Sequence, residues 1–279
     1  MEITNSGISS NSLFHFTSKQ YNLESILRNG FYLRYSLEDF SSITNLVGKS
    51  TIALPMVCFC DIPLSQIKYH TQNYGCYAIG LSKEWAVSRK ICPIIYTFKN
   101  ALTAELLNSF SNDYNSMLFE DKIYIDEKET EKKYLDSYVD KYLNTAKSIQ
   151  AFAKFFKPYE GSTWHEGKWN EQKIIFYNER EWRYLPPVSF FEENNLKGEY
   201  SEEIFSIKSK RRAMNLTIQK LFKLKFDPKD IKYIIVKKEN EIPEMAEKVR
   251  SIFKDTATHS DLQLLFTKIF SLDQIISDL

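Results

Sequence analysis

Asn178-Glu179-Arg180-Glu181-Trp182-Arg183 packs two carboxylates and two guanidinium groups into one short stretch. If it is a strand, alternate side chains share a face. Glu179, Glu181 and Arg183 then point one way and Arg180 the other. Two carboxylates that close resist joint ionisation unless a cation or ligand hydroxyls compensate them. An exposed strand with cross-strand ion pairs would account for the charges. It would not account for the flanking Tyr177, Trp182 and Tyr184, which ask for a half-buried setting.

Outward from this stretch, short apolar runs predict strands at Leu13–Phe16, Thr51–Cys60, Cys76–Leu81, Ile91–Tyr96, Gln172–Tyr177, Glu179–Leu185, Glu203–Ile207 and Lys232–Val236. Leu23, Ile26 and Leu27 have helical spacing within Gln20–Asn29, and Gly30 stands where a helix stop belongs. Pro63 opens a short helix to His70, and Ser82 caps a turn beginning Lys83-Glu84-Trp85. Ile242–Lys254 is amphipathic, and Asp261–Leu279 reads as helical. From Asn100 to about Lys157 the spacing is helical, and it turns acidic between Glu120 and Asp140. That insertion, at about residues 100–160, reads as a solvated helical arm, or as a lid or partner-docking element. The fold class expected is α+β, because the strands and helices do not alternate regularly. The whole of residues 1–279 reads as a single domain.

Composition excludes several classes. The chain has 279 residues, 43% hydrophobic and 26% charged, which is ordinary for a globular protein. Only 8 glycines and 8 prolines argue against long flexible linkers. A net charge of +1 points by itself to neither nucleic acid nor membrane. Cys58, Cys60, Cys76 and Cys92 lack paired CxxC spacing, so no metal site is expected. Met1–Ser12 lacks the pattern of a secretory signal, and no apolar run approaches a membrane span. The expectation is a cytoplasmic chain with reduced cysteines.

Two further constellations stand out. His15 and Thr17, in Leu13-Phe14-His15-Phe16-Thr17, project to the same side of a strand and offer an imidazole and a hydroxyl. Alone, this reads first as a structural histidine followed by a capping threonine, because an isolated His-x-Thr is a weak motif. Val57–Pro63 and Tyr74–Trp85 combine small residues and aromatics that could floor a cleft or pack a core. Gly75 and Gly80 fit neither a GxGxxG nor a GxxxxGK[ST] pattern, which removes Rossmann and P-loop readings.

Taken in order, these motifs resemble known families. His15-Phe16-Thr17, followed by Asn22-Leu23 and Ile26-Leu27 before Gly30, looks like the first motif of ADP-ribosyltransferases, particularly the DarT-like branch. The late Glu179-x-Glu181 looks like their catalytic third motif. Phe59-Cys60-Asp61-Ile62-Pro63, the run from Tyr74 to Trp85, and Glu179-Arg180-Glu181-Trp182-Arg183 resemble the AbiGi family of abortive phage-resistance proteins. The likeness covers about residues 13–97 and 172–236.

The transferase resemblance implies a split β-sheet core with C-terminal helices, and NAD+ as co-substrate. It implies that His15 binds the adenosine ribose, and that Phe16 and Thr17 hold the nicotinamide side. Asn22 would contact NAD+, and Tyr77 would stack on nicotinamide. Glu181 would be catalytic, on the 2′-hydroxyl of the nicotinamide ribose, and Glu179 would orient or deprotonate the acceptor. DarT-like enzymes carry an arginine near the second strand. Here Cys58–Pro63 has none, which leaves Arg34 or Lys83 as substitutes.

Between Phe205 and Lys238, lysines and arginines face only Asp227 and Asp230. This is either a solvated face or a phosphate-contacting surface. The function expected is therefore a mono-ADP-ribosyltransferase toxin of phage defence that modifies a nucleic-acid base in RNA or single-stranded DNA, restrained by a protein antitoxin. The alternatives are a non-catalytic antitoxin or regulator on the same fold, as the AbiGi description implies, and a transferase acting on protein.

Overall fold

The computed structural model describes residues 10–43, 51–109, 144–145, 147–165 and 167–278. The expected α+β class is found. Strands β1 (Ser12–Thr17), β4 (Thr51–Cys60), β5 (Tyr77–Ser82), β6 (Cys92–Pro93), β11 (Glu181–Tyr184), β14 (Ile231–Val236) and β15 (Ile269–Ser271) lie in one sheet in the order β15-β14-β5-β1-β4-β11-β6. β3 (Arg34–Asp39) and β12 (Tyr200–Ser201) join it through β4. Smaller pairs are β2 (Phe31–Tyr32) with β13 (Lys223–Leu224), β7 (Ile95–Thr97) with β8 (Phe156–Pro158), and β9 (Glu160–His165) with β10 (Lys168–Ile175). The helices with defined bounds are α1 (Gln20–Asn29), α2 (Ile67–Tyr74), α3 (Lys83–Ser88), α4 (Val188–Glu193), α5 (Glu202–Ser206), α6 (Lys208–Leu221), α7 (Ile242–Phe253), α8 (His259–Phe266) and α9 (Leu272–Asp278).

The alternation along β1 builds both sides of the core. Leu13 packs with Leu23, Ile26 and Leu27 of α1 and Met245 and Val249 of α7. Phe14 and Phe16 turn the other way, onto Ile67 of α2 and Leu272 and Ile275 of α9. Burying each such side chain stabilises the fold by about 1.5–3 kcal/mol. A third cluster joins Leu54 and Met56 of β4 to Ala104, Leu107, Ala153 and Phe156. The helical stretches at 102–109 and 147–153 are thereby held against the sheet.

The sheet has a seam. β1 follows β5 from Ser12↔Ser82 to Thr17↔Tyr77, yet among the described residues it meets β4 only at Phe14↔Cys60. β4 gives Thr51–Met56 to β3 and Val57–Cys60 to β11. Side chains supplement the bonding here: at the one pair Cys60 Sγ donates to Phe14 O at 3.3 Å, and beyond it the Nδ1–H of His15 donates to Cys58 O at 2.8 Å. Backbone carbonyls are thus satisfied without a ladder.

Several expectations change. Glu203–Ile207 is not a strand: the chain from Glu202 to Ser206 is helical, with Glu202 and Glu203 in the first turn, where acids favour the helix dipole. The C-terminal stretch is two helices separated by β15, which pairs in parallel with β14. Strand structure begins at Phe156, inside the span read as helical insertion. The acidic run between Glu120 and Asp140 lies outside the described residues. Ser82 does cap α3, accepting from Trp85 N at 3.2 Å, and Gly30 ends α1 with φ 80°.

Gly75 closes α2 with φ 105°, and its N–H reaches Thr71 O at 3.1 Å. A Cβ there would stand 2.4 Å from Ser18 Cα. Backbone cannot yield as a flexible side chain can. Gly75→Ala is expected to cost about 2 kcal/mol or more in urea-unfolding free energy. A loss under about 0.5 kcal/mol would mean that Ser18 moves freely.

Candidate active site

Beside the seam lies a cleft of about 350 Å³, lined by residues of β1, β3, β4, α2, β8, β9 and β10 and by Glu179 and Glu181. Its floor is a chain of buried charges. Lys157 Nζ lies 2.9 Å from Glu179 Oε2 and 2.8 Å from Glu181 Oε2. Arg183, fully buried, donates through Nε to Glu181 Oε1 at 2.5 Å and through Nη2 to Glu38 Oε2 at 2.6 Å. Its Nη1 holds Lys154 O at 3.2 Å. Tyr74 donates its hydroxyl to Glu179 Oε1.

The two glutamates converge by a route that alternation does not describe. Glu179 ends a 3-10 turn (Phe176–Glu179), and only Glu181 belongs to β11. Between them Arg180 is left-handed, with φ 45°. Such a conformation costs a non-glycine residue of order 1 kcal/mol or more, and it persists where surroundings over-determine it. Here Arg180 N donates to Tyr177 O at 3.2 Å, and Arg180 O accepts from Asp61 N at 3.0 Å. The turn returns Glu179 to the side of Glu181. Arg183 joins them, as the strand spacing implies.

The carboxylates differ. Burial pushes Glu181 up, but Arg183 and then Lys157 more than reverse this and hold it well below the usual carboxylate range. Glu179 stays above that range, because burial outweighs the pull of Lys157 and Glu181 adds a like charge. The cluster sets the three carboxylates of Glu38, Glu179 and Glu181 against the two cations Lys157 and Arg183. It therefore has room for positive charge.

Two imidazoles face the cleft. A carbonyl can only accept, so the bond to Cys58 O makes Nδ1 the protonated nitrogen of His15 and leaves Nε2 as an acceptor. Phe31 and Phe59 present T-shaped contacts to this ring, and burial lowers its pKa. His70 lies between Phe16 and Tyr74, stacked on the latter at 4.4 Å. Burial first, then Lys157, lower it to about 4, while Glu181 pulls the other way and His15 adds to the lowering. Its folded pKa lies below the unfolded value near 6.5, so the unfolded chain binds more protons between the two. His70 thus supports the fold fully above about pH 6.5, and that support is lost as pH falls towards 4. Urea titrations of wild type and His70→Phe should diverge by roughly 2 kcal/mol between pH 7 and pH 4. Parallel curves would exclude His70 as the source.

Not every residue singled out from sequence reaches the cleft. His15, Phe16, Glu179 and Glu181 line it. Thr17, Asn22 and Tyr77 are not among its lining residues. Asn22 Nδ2 donates to Thr17 Oγ1 at 2.8 Å, and Tyr77 donates its hydroxyl to Glu241 at 3.1 Å. Arg34 is exposed, and Lys83 pairs with Asp61 at 2.8 Å; neither lines the cleft. The buried cation in the cleft floor is Lys157, which sequence reading left at the end of the insertion. A partial signal was present: Lys157 stands between Phe156 and Pro158, and a proline directly after it argues against a continuing helix. Glu38, His70 and Tyr74 carried no comparable mark. Among the described residues no cluster of His, Cys, Asp and Glu is arranged to hold a metal, and no helix is long and apolar enough to cross a membrane.

Fold and site together define an α+β protein with a buried carboxylate–lysine–arginine cluster at the floor of a cleft. Residues 29–237 match the family described as "Putative abortive phage resistance protein AbiGi, antitoxin", and the chain belongs to that family. It is also similar to the abortive phage resistance protein AbiGi of Lactococcus lactis subsp. cremoris, 29% identical over 199 residues that span 66% of this chain and 71% of the relative. No solved structure matches.

Proposed function

We propose that this abortive-infection protein is an NAD+-dependent mono-ADP-ribosyltransferase whose catalytic carboxylate is Glu181. The observation that carries the reading is a buried Glu181, held by Arg183 and Lys157, in the same cleft as His15 and beside the seam between β1 and β4. That seam supports a split-sheet core of the ADP-ribosyltransferase kind. NAD+ fits the cleft's chemistry. The volume lies in the range of small-molecule sites. The floor accommodates positive charge, and Ser162, Thr163 and exposed Lys173 supply donors at the wall.

In this reading Glu181 accepts from the 2′-hydroxyl of the nicotinamide ribose and stabilises the positive charge that develops on the sugar as nicotinamide leaves. A carboxylate oxygen has two lone-pair directions, so Glu181 retains acceptor capacity beside Arg183 and Lys157. Glu179, with its raised affinity for a proton, takes the proton of the acceptor nucleophile. His15 offers Nε2 to the adenosine ribose. Lys157 holds the two carboxylates together, in place of the arginine that DarT-like enzymes carry. The Thr17–Asn22 pair braces β1 against α1 behind the cleft, rather than touching the ligand.

The acceptor proposed is a nucleic acid, RNA or single-stranded DNA. α6 and the segment after it expose Lys208, Lys210, Arg212, Lys220, Lys223, Lys225, Lys229 and Lys232. Arg211 stacks on Trp164, a cleft-lining residue, which ties this basic face to the cleft wall. A second reading is a non-catalytic antitoxin that binds a toxin protein. Its support is the family description and the fact that each carboxylate oxygen of Glu179 and Glu181 already accepts a hydrogen bond.

The test is incubation with labelled NAD+ and total cell lysate, beside Glu181→Gln. Label in nucleic acid that is lost in the variant supports the proposal. Label in protein moves the acceptor class. No label and no released nicotinamide, together with relief of a partner's toxicity irrespective of Glu181, selects the antitoxin.

A further inference from the structure

His70 has an environment that the functional reading does not use. It stands in α2, four residues before Tyr74, and lines the cleft. Phe16 contacts the ring at 4.8 Å, and Tyr74 stacks on it at 4.4 Å with an interplanar angle of 24°. Tyr74 is itself anchored on Glu179, and Gly75 ends the helix directly after it. The imidazole is therefore held in place, yet among the described residues neither of its nitrogens makes a hydrogen bond. The ring is half-buried at the cleft wall, and a ring immobilised by its neighbours is preorganised to receive a ligand partner.

We propose that His70 is a binding residue that hydrogen-bonds an uncharged polar group, of the amide class, on the ligand's nicotinamide-bearing half. This rests on the NAD+ reading of the cleft. The assignment to that half follows from position, because His70 stacks on Tyr74, whose hydroxyl donates to Glu179, and Lys157 joins Glu179 to Glu181. A neutral imidazole offers one donor and one acceptor, which suits a carboxamide. A phosphate would be better served by a cation, and Lys157, in the cleft floor, is already occupied by two carboxylates.

The experiment measures binding of NAD+, nicotinamide mononucleotide and ADP-ribose by calorimetry to wild type, His70→Phe and His70→Gln. His70→Phe keeps a ring between Phe16 and Tyr74 and removes both nitrogens, so the stack remains. His70→Gln restores a donor and an acceptor. The expected result is about a tenfold weaker affinity of His70→Phe for nicotinamide mononucleotide and NAD+, the equivalent of one hydrogen bond. Affinity for ADP-ribose should change less than about twofold, and His70→Gln should recover most of the loss. In wild type, nicotinamide mononucleotide should also shift the ¹⁵N resonances of the His70 ring. If His70→Phe binds NAD+ and both fragments as wild type does, or loses all three equally, the assignment of His70 is overturned while the NAD+ reading stands. If wild type binds neither NAD+ nor nicotinamide mononucleotide, both fall together.

Discussion

Lys157→Met is expected to lower the unfolding free energy by about 3–5 kcal/mol at pH 8, the range for removing one partner of a buried ion pair. Methionine fills similar volume, so the loss reports charge and not a cavity. Without the ammonium, Glu179 and Glu181 face each other with no shared cation. The pair then relieves itself by taking up a proton, and Glu179 is the member that already leans that way. The sign of the pH dependence follows. A carboxyl whose folded pKa rises above its unfolded value near 4.5 costs stability as pH rises through that interval. The deficit of the variant should therefore be smaller at pH 5 than at pH 8. Adding Glu179→Gln to Lys157→Met should recover more than half of the loss, which a double-mutant cycle in urea measures. A deficit under about 1 kcal/mol at pH 8 would mean that water screens the cluster and that its charges are those of a surface pair.

Glu181→Gln is expected to slow NAD+ cleavage by about 10²–10³-fold, the range for removing one group that stabilises charge in a transition state. NAD+ affinity should change by less than about tenfold, because glutamine still accepts a hydrogen bond and the missing charge matters only as the sugar becomes cationic. The effect should therefore fall on kcat and leave KM nearly unchanged. Arg183 loses one of two carboxylates but keeps Glu38, so the variant should remain folded with a lowered Tm. Equal nicotinamide release by folded Glu181→Gln and wild type would remove Glu181 from the chemistry and favour the antitoxin reading.

The sequence by itself determined the α+β class, the extent of β4, and the positions of α1, α3 and α7. Each of these is set by local chemistry: runs of β-branched residues, apolar spacing, and caps at Gly30 and Ser82. It also marked the pair Glu179 and Glu181, because two carboxylates flanked by aromatics are unusual in an open strand. It did not reveal how they converge. Strand alternation gave the right side for a reason that fails, since Arg180 turns left-handed and Glu179 stands outside the strand.

Tertiary structure alone decided what surrounds them. Glu38, Tyr74 and Lys157 come from β3, α2 and β8, and their meeting with Glu179, Glu181 and Arg183 depends on strand order and on the seam between β1 and β4. Tyr77 and Asn22 show the converse. The resemblance marked them as ligand contacts, and the structure gives them protein partners: register sets Tyr77 opposite Thr17 and within reach of Glu241, while Asn22 donates to Thr17. Short-range pattern fixes which face a side chain takes. Which distant charges share that face is set by long-range pairing, and the low dielectric of the interior then turns their proximity into shifted pKa values and a defined site.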